Sequence, residues 1–131
     1  MTTDNVPSAI SVPDEVINPV QIEHGIRDCA NRIGKGVRVC SDRYAAFLKA
    51  DHEYDLACAR AYINATGTVK EKEAEVEIET EDERRARDTA DALYRYADRQ
   101  AKALDNELRA WQSLNASFRS MYAVSGRGEG A

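Results

Sequence analysis

Two stretches of this chain set apolar or small residues at alternating spacings of four and three, and that periodicity confines the fold to long helices packed side by side. In the second half, Ala90, Tyr94, Ala97, Ala101, Leu104, Leu108, Trp111, Asn115, Phe118 and Tyr122 keep the rhythm. In the first half Ile26, Ala30, Ile33, Val37, Cys40, Tyr44, Phe47, Asp51, Tyr54, Cys58, Ala61 and Ala65 do the same. Residues three and four apart share one face of a helix, so each run reads as a coiled-coil seam. The 131 residues leave room for one domain, and 31% charged against 7% aromatic residues favours an elongated helical fold over a globular enzyme core.

The boundaries follow from local chemistry. Residues 1–18 carry Pro7 and Pro13 and sustain no pattern, so they read as a flexible, disordered arm. Asn18 before Pro19 is a helix start: Asn caps free N–H groups, and Pro in the first helical position loses no bond. The first helix is expected over about 19–65. Gly34 and Gly36 weaken it locally, but the seam keeps phase across them, which predicts one continuous helix with a kink point at 34–36. Gly67 ends the turn, and Thr68 with Glu71 forms a capping box for a second helix over about 69–124. Within it, Glu75 to Glu79 alternates like a strand, yet a lone strand has nothing to pair with, so helix is the expectation. Thr80 with Glu83 resembles a further capping box and predicts a kink at 79–80. Residues 125–131 read as a flexible tail.

A short connection makes the two helices antiparallel neighbours, an all-α helical hairpin spanning 19–124. Folding about Gly67 sets Phe47 opposite Ala86, Tyr44 opposite Ala90, Ile33 opposite Ala101 and Ile26 opposite Leu108. Beyond Leu108 the first helix then runs out. Trp111, Leu114, Phe118, Met121 and Tyr122 are left as an interaction surface, for which the occupants are a second copy, a helical partner protein or the N-terminal arm folding back.

No catalytic constellation stands out. Asp51, the charged residue inside the first seam, is expected to pair with Arg84 or Arg85. His24 with Asp28, and Asp51 with His52 and Asp55, lack the Glu-x-x-His pairs of helical metal sites, so neither a metal nor another cofactor is expected. Cys29, Cys40 and Cys58, spread along one helix, cannot bridge within the chain and read as reduced. An acidic face of Glu71, Glu75, Glu79, Asp82 and Glu83 suits a solvated helix start or a basic partner. A net charge of −5 does not favour nucleic acid, and Arg95, Arg99, Lys102 and Arg109 alternate with Asp91, Asp98 and Asp105, as expected of pairs within a helix. No apolar run suits a membrane and no signal peptide is visible, which makes the cytoplasm the expected compartment.

The run Tyr54-Asp55-Leu56-Ala57-Cys58-Ala59-Arg60-Ala61-Tyr62, the turn Gly67-Thr68-Val69 and the run from Ala103-Leu104-Asp105-Asn106-Glu107 through Leu108-Arg109-Ala110-Trp111-Gln112-Ser113-Leu114 resemble small helical hairpin proteins of bacteriophages, especially those of actinobacterial hosts. The resemblance covers about Ala50 to Tyr122. It implies a non-enzymatic accessory protein of the host cytoplasm, acting through protein contacts in DNA recombination or replication. The alternatives are a virion or assembly component and an inhibitor that holds a host protein with its acidic face.

Overall fold

The computed structural model describes residues 17–129, and in these the chain forms three helices: α1 (Pro19–Asn64), α2 (Val69–Glu79) and α3 (Glu81–Glu129). α1 and α3 run antiparallel against each other, and α2 leads from the turn into α3. The helical hairpin expected from the two seams is therefore the fold. The arm expected over 1–18 lies outside the described residues up to position 16, and so do the last two positions of the expected tail. The remainder of that tail is helix, since α3 continues to Glu129. Gly126 and Gly128 weaken a helix here by about 1 kcal/mol each relative to alanine, but no proline intervenes and each added residue of a nucleated helix gains one backbone bond.

Both expected starts form. Asn18 accepts a hydrogen bond from the Gln21 backbone N–H at 2.9 Å, and the Gln21 side chain accepts one from the Asn18 N–H at 3.0 Å. Thr68 and Glu71 close the second box in the same reciprocal way. Gly67 has φ of 113°, a conformation that side chains oppose, and there the chain reverses. α1 passes Gly34 and Gly36 without a break.

At 79–80 the kink occurs by a different device from the one expected. The Thr80 hydroxyl donates to the Val76 carbonyl at 2.6 Å instead of capping Glu83. A hydroxyl that bonds back to the carbonyl four residues earlier tilts the helix axis. Backbone bonds carry on through the joint, from Thr80 N–H to Val76 O and from Arg84 N–H to Thr80 O, both 3.0 Å. The Glu83 carboxylate has one buried oxygen, Oε2, that receives no hydrogen bond among the described residues.

This joint sets the register. α2 buries no residue of its own, so the chain reaches α3 about one helical turn later than folding about Gly67 would place it. Tyr44 meets Tyr94 with ring centroids 5.1 Å apart, where Ala90 was expected, and Cys58 lies 3.8 Å from Thr80. Ala86, expected opposite Phe47, is exposed. Arg84 and Arg85 are carried away from Asp51 and pair instead with Glu77 at 3.5 Å and Glu81 at 2.6 Å. Asp51 is half-buried and makes no ion pair among the described residues.

The seam of α1 also differs in its first half. Ile33, Cys40, Phe47, Tyr54 and Ala61 face inward as the spacing predicts. Between them, however, Cys29 is buried and Gly36 and Arg43 are half-buried, while Ala30, Val37 and Tyr44 are exposed. Further along, Asp51, Cys58 and Ala65 take the inward place as expected. A helix of 3.6 residues per turn drifts about 20° per heptad against a strict seven-residue repeat, so over five heptads the buried stripe migrates by about one residue. α3 keeps its expected seam from Ala90 to Phe118, and Tyr122 is 63% exposed.

Candidate functional site

The expected interaction surface divides at the open end of the hairpin, opposite the turn. Trp111 is half-buried, because the later register brings it against α1. A Cβ built on Gly25 would lie 2.6 Å from Trp111 Cδ2 and Cζ2, so the indole occupies the room that a side chain would need. Gly25 is buried, and its neighbours on the same stripe, Ile22 and Cys29, are closed off almost completely. Leu114 and Phe118 are half-buried. Met121 and Tyr122 stay exposed, with the Tyr122 ring 6.5 Å from that of Phe118. Val124, Ile17 and Val20 are exposed at the same end, and Val20 shows 74% of its surface. Of the residues expected to form an interaction surface, Met121 and Tyr122 are exposed and Trp111 is half-buried; Ile17 and Val20, which lie outside the expected seam, are exposed at the same end.

Beside Trp111 lies an open hollow of about 700 Å³, bounded by Ile17, Val20, His24, Gly25, Asp28 and Glu107. Farther along the hairpin, a second hollow of about 330 Å³ has Gly36, Val39, Ala97, Ala101 and Leu104 in its walls, and shares Glu107 with the first. Arg32 bridges the two helices at this point, reaching Glu107 at 3.4 Å and Asp28 at 3.6 Å. Burial raises the pKa of the Cys29 thiol, and the nearby Glu107 carboxylate adds to the shift. Both effects favour the neutral thiol over the nucleophilic thiolate.

The acidic face is partly spent within the chain. Glu71 caps α2, Glu75 is half-buried, Glu79 and Asp82 are exposed, and Glu83 keeps one oxygen buried. Of the glutamates between them, Glu77 is held by Arg84 and Glu81 by Arg85. Elsewhere two of the expected pairs one turn apart form, Asp91 with Arg95 at 3.1 Å and Asp98 with Lys102 at 3.0 Å, while Arg99, Asp105 and Arg109 make no ion pair among the described residues. Such exposed pairs are worth only about 0.3–0.5 kcal/mol each, so they tune solubility and helix content more than binding.

Near the kink a polar cluster forms that the spacing did not reveal. Thr80 is 2% exposed, the Arg87 guanidinium sits 4.4 Å over the Tyr54 ring, and Cys58 lies between Tyr54 and Thr80. The contact with the Cys58 thiol, reinforced by burial, raises the pKa of the Tyr54 hydroxyl. The cluster fastens the joint, and Cys58 also borders an open hollow of about 530 Å³ with Ala59, Tyr62, Ile63, Glu73 and Val76. Among the described residues no group of three His, Cys, Asp or Glu comes together to hold a metal ion, and no helix is long and apolar enough to cross a membrane. No family model matches the chain, and neither a curated protein nor a solved structure matches it.

Proposed function

We propose that this protein works by contact with other proteins, as a non-enzymatic phage accessory factor serving DNA recombination or replication. The open end carries the reading: Ile17, Val20, Met121, Tyr122 and Val124 gather there with their apolar surfaces in water. A cluster of large exposed apolar residues at one place is characteristic of a contact surface. The acidic face is the weaker candidate, because arginines of the same chain already neutralise part of it. The resemblance to phage hairpin proteins supplies the setting in recombination or replication, and the partner is a helical protein or a second copy.

The test compares the full chain with a Val20→Lys, Met121→Lys variant, each immobilised and exposed to lysate of infected cells. Capture of a discrete partner by the wild type and its loss in the variant is the expected result. Equal capture by both would overturn the assignment to the open end. Retention of DNA at about 50 mM salt tests direct contact, since electrostatic affinity is greatest there, and no retention would confine the role to proteins.

A further inference from the structure

We infer that the bend at Thr80 is a register switch: straightening it slides α3 by one turn along α1, into the pairing that the seven-residue repeats of the two helices specify. Two registers already coexist along the hairpin. Beside α2 the pairing is close to that of folding about Gly67, with the Lys72 ammonium 5.4 Å from the centre of the Tyr62 ring and Val76 bordering one hollow with Cys58 and Ala59. Past the bend it is about one turn later, with Thr80 at Cys58 and Tyr94 at Tyr44. α2 thus advances too little along α1 for its length, so it is tilted. Bringing it into line with α3 would carry α3 about 5.4 Å, one turn, towards the open end.

Little in the joint or in the middle of the hairpin resists this. α2 buries no residue, and the hollow of about 530 Å³ between it and α1 leaves it room to move. Helical backbone bonds form on both sides of Thr80, so straightening extends a helix and does not unwind one. Between Cys29 and Ala61 no residue of α1 is buried, so α3 rests there on half-buried side chains. Displacement of one packed element past another by a single turn is an established form of two-state switching.

The advanced register has an apolar gain of its own. It sets Ile33 opposite Ala101, Val37 opposite Ala97 and Tyr44 opposite Ala90, large against small. In the kinked register Val37 and Tyr44 stand 66% and 46% exposed. Covering them requires α1 to supercoil until its strict seven-residue repeat stays inward, as packed heptad seams do. The slide also has costs. Trp111 leaves Gly25 and joins the exposed patch, the Arg32 bridge to Glu107 breaks, and Glu83 is brought towards Asp51. These losses make the kinked register the major state and the advanced one the minor.

The distance between two spin labels in the full chain tests the switch. The labels sit on azide-bearing residues in place of Ile63 and Arg99, both exposed, which leaves the three native cysteines as they are. Thr80→Val keeps the volume and removes the hydroxyl bond to Val76; it should raise the population of a second distance, about 5 Å longer, by roughly 5-fold, the weight of one hydrogen bond. Gly25→Ala acts from the other end, because its methyl would collide with Trp111 in the kinked register, and it should raise the same longer distance. Trp111 emission should move to the red in both variants. Adding Val37→Glu, exposed in the kinked register and inward in the advanced one, should restore the shorter distance. A variant at either end that keeps its helical circular dichroism and shows only the wild-type distance would overturn the inference. So would a longer distance that Val37→Glu leaves in place.

Discussion

The two ends of the hairpin are held together by different means. At the turn, the covalent connection keeps the helices close, and small or polar groups suffice: Ala61, Ala65 and Thr80 are the buried residues, backed by the Thr68–Glu71 box and Arg87 over Tyr54. At the open end no connection helps. The helices are held there by large apolar surfaces, Ile22 and Trp111 against the Gly25 backbone. The difference teaches that packing errors should cost most far from the turn, where loss of a contact lets the helices separate.

Substitutions can break or sharpen that contrast. The largest effect is expected from Gly25→Val, which forces a side chain into the Trp111 ring and should cost about 3 kcal/mol, the upper part of the overpacking range. Because Trp111 is the one tryptophan, its fluorescence during urea unfolding reports this end directly. Ile22→Ala follows, at about 2–3 kcal/mol for a buried aliphatic truncated in place. If either proves milder than the turn substitutions, the open end is not where packing decides stability.

Gly67→Ala should cost about 1–2 kcal/mol, since it strains a backbone with φ of 113° and crowds the Glu71 side chain. Thr80→Ala should cost about 1 kcal/mol by removing the buried hydroxyl bond to Val76, partly offset by the better helix propensity of alanine. Chemical denaturation ranks all four variants on one scale.

The smallest effect is on pH. Cys29 has its pKa raised above the ordinary 9.0, so the folded state favours the neutral thiol. Its contribution is complete below about pH 9, where both states keep the thiol neutral, and is lost as pH rises from there through the folded value, because in that window the unfolded chain ionises first. Alkylation at pH 8 should accordingly modify Cys29 more slowly than Cys40 and Cys58, which are only half-buried. Equal rates would mean that the open end breathes as freely as the rest.

Much of this was legible in the sequence because it depends on neighbours a few positions apart. Asn18 with Gln21 and Thr68 with Glu71 meet across one helical turn whatever else the chain does, and Gly67 is required wherever the backbone adopts its positive φ. The continuity of α1 through Gly34 and Gly36 followed from the phase of its apolar residues, and the position of the kink followed from Thr80. The candidate site was half legible. Met121 and Tyr122 are exposed at the open end as their distance from the turn implied, yet Trp111 is not, and the hollow beside it gave no signal in either seam.

What the sequence by itself determined, then, is the all-helical hairpin, its starts and its turn, since hydrophobic period and capping are local properties. Tertiary structure alone decided the register, because that depends on how far α2 and the bend at Thr80 carry the chain before α3 engages α1. One turn of that offset places Trp111 on Gly25, moves Arg84 and Arg85 away from Asp51, and opens the hollow that Gly36 borders. Spacing along a helix fixes which residues share a face; only the packed pair of helices fixes what that face meets.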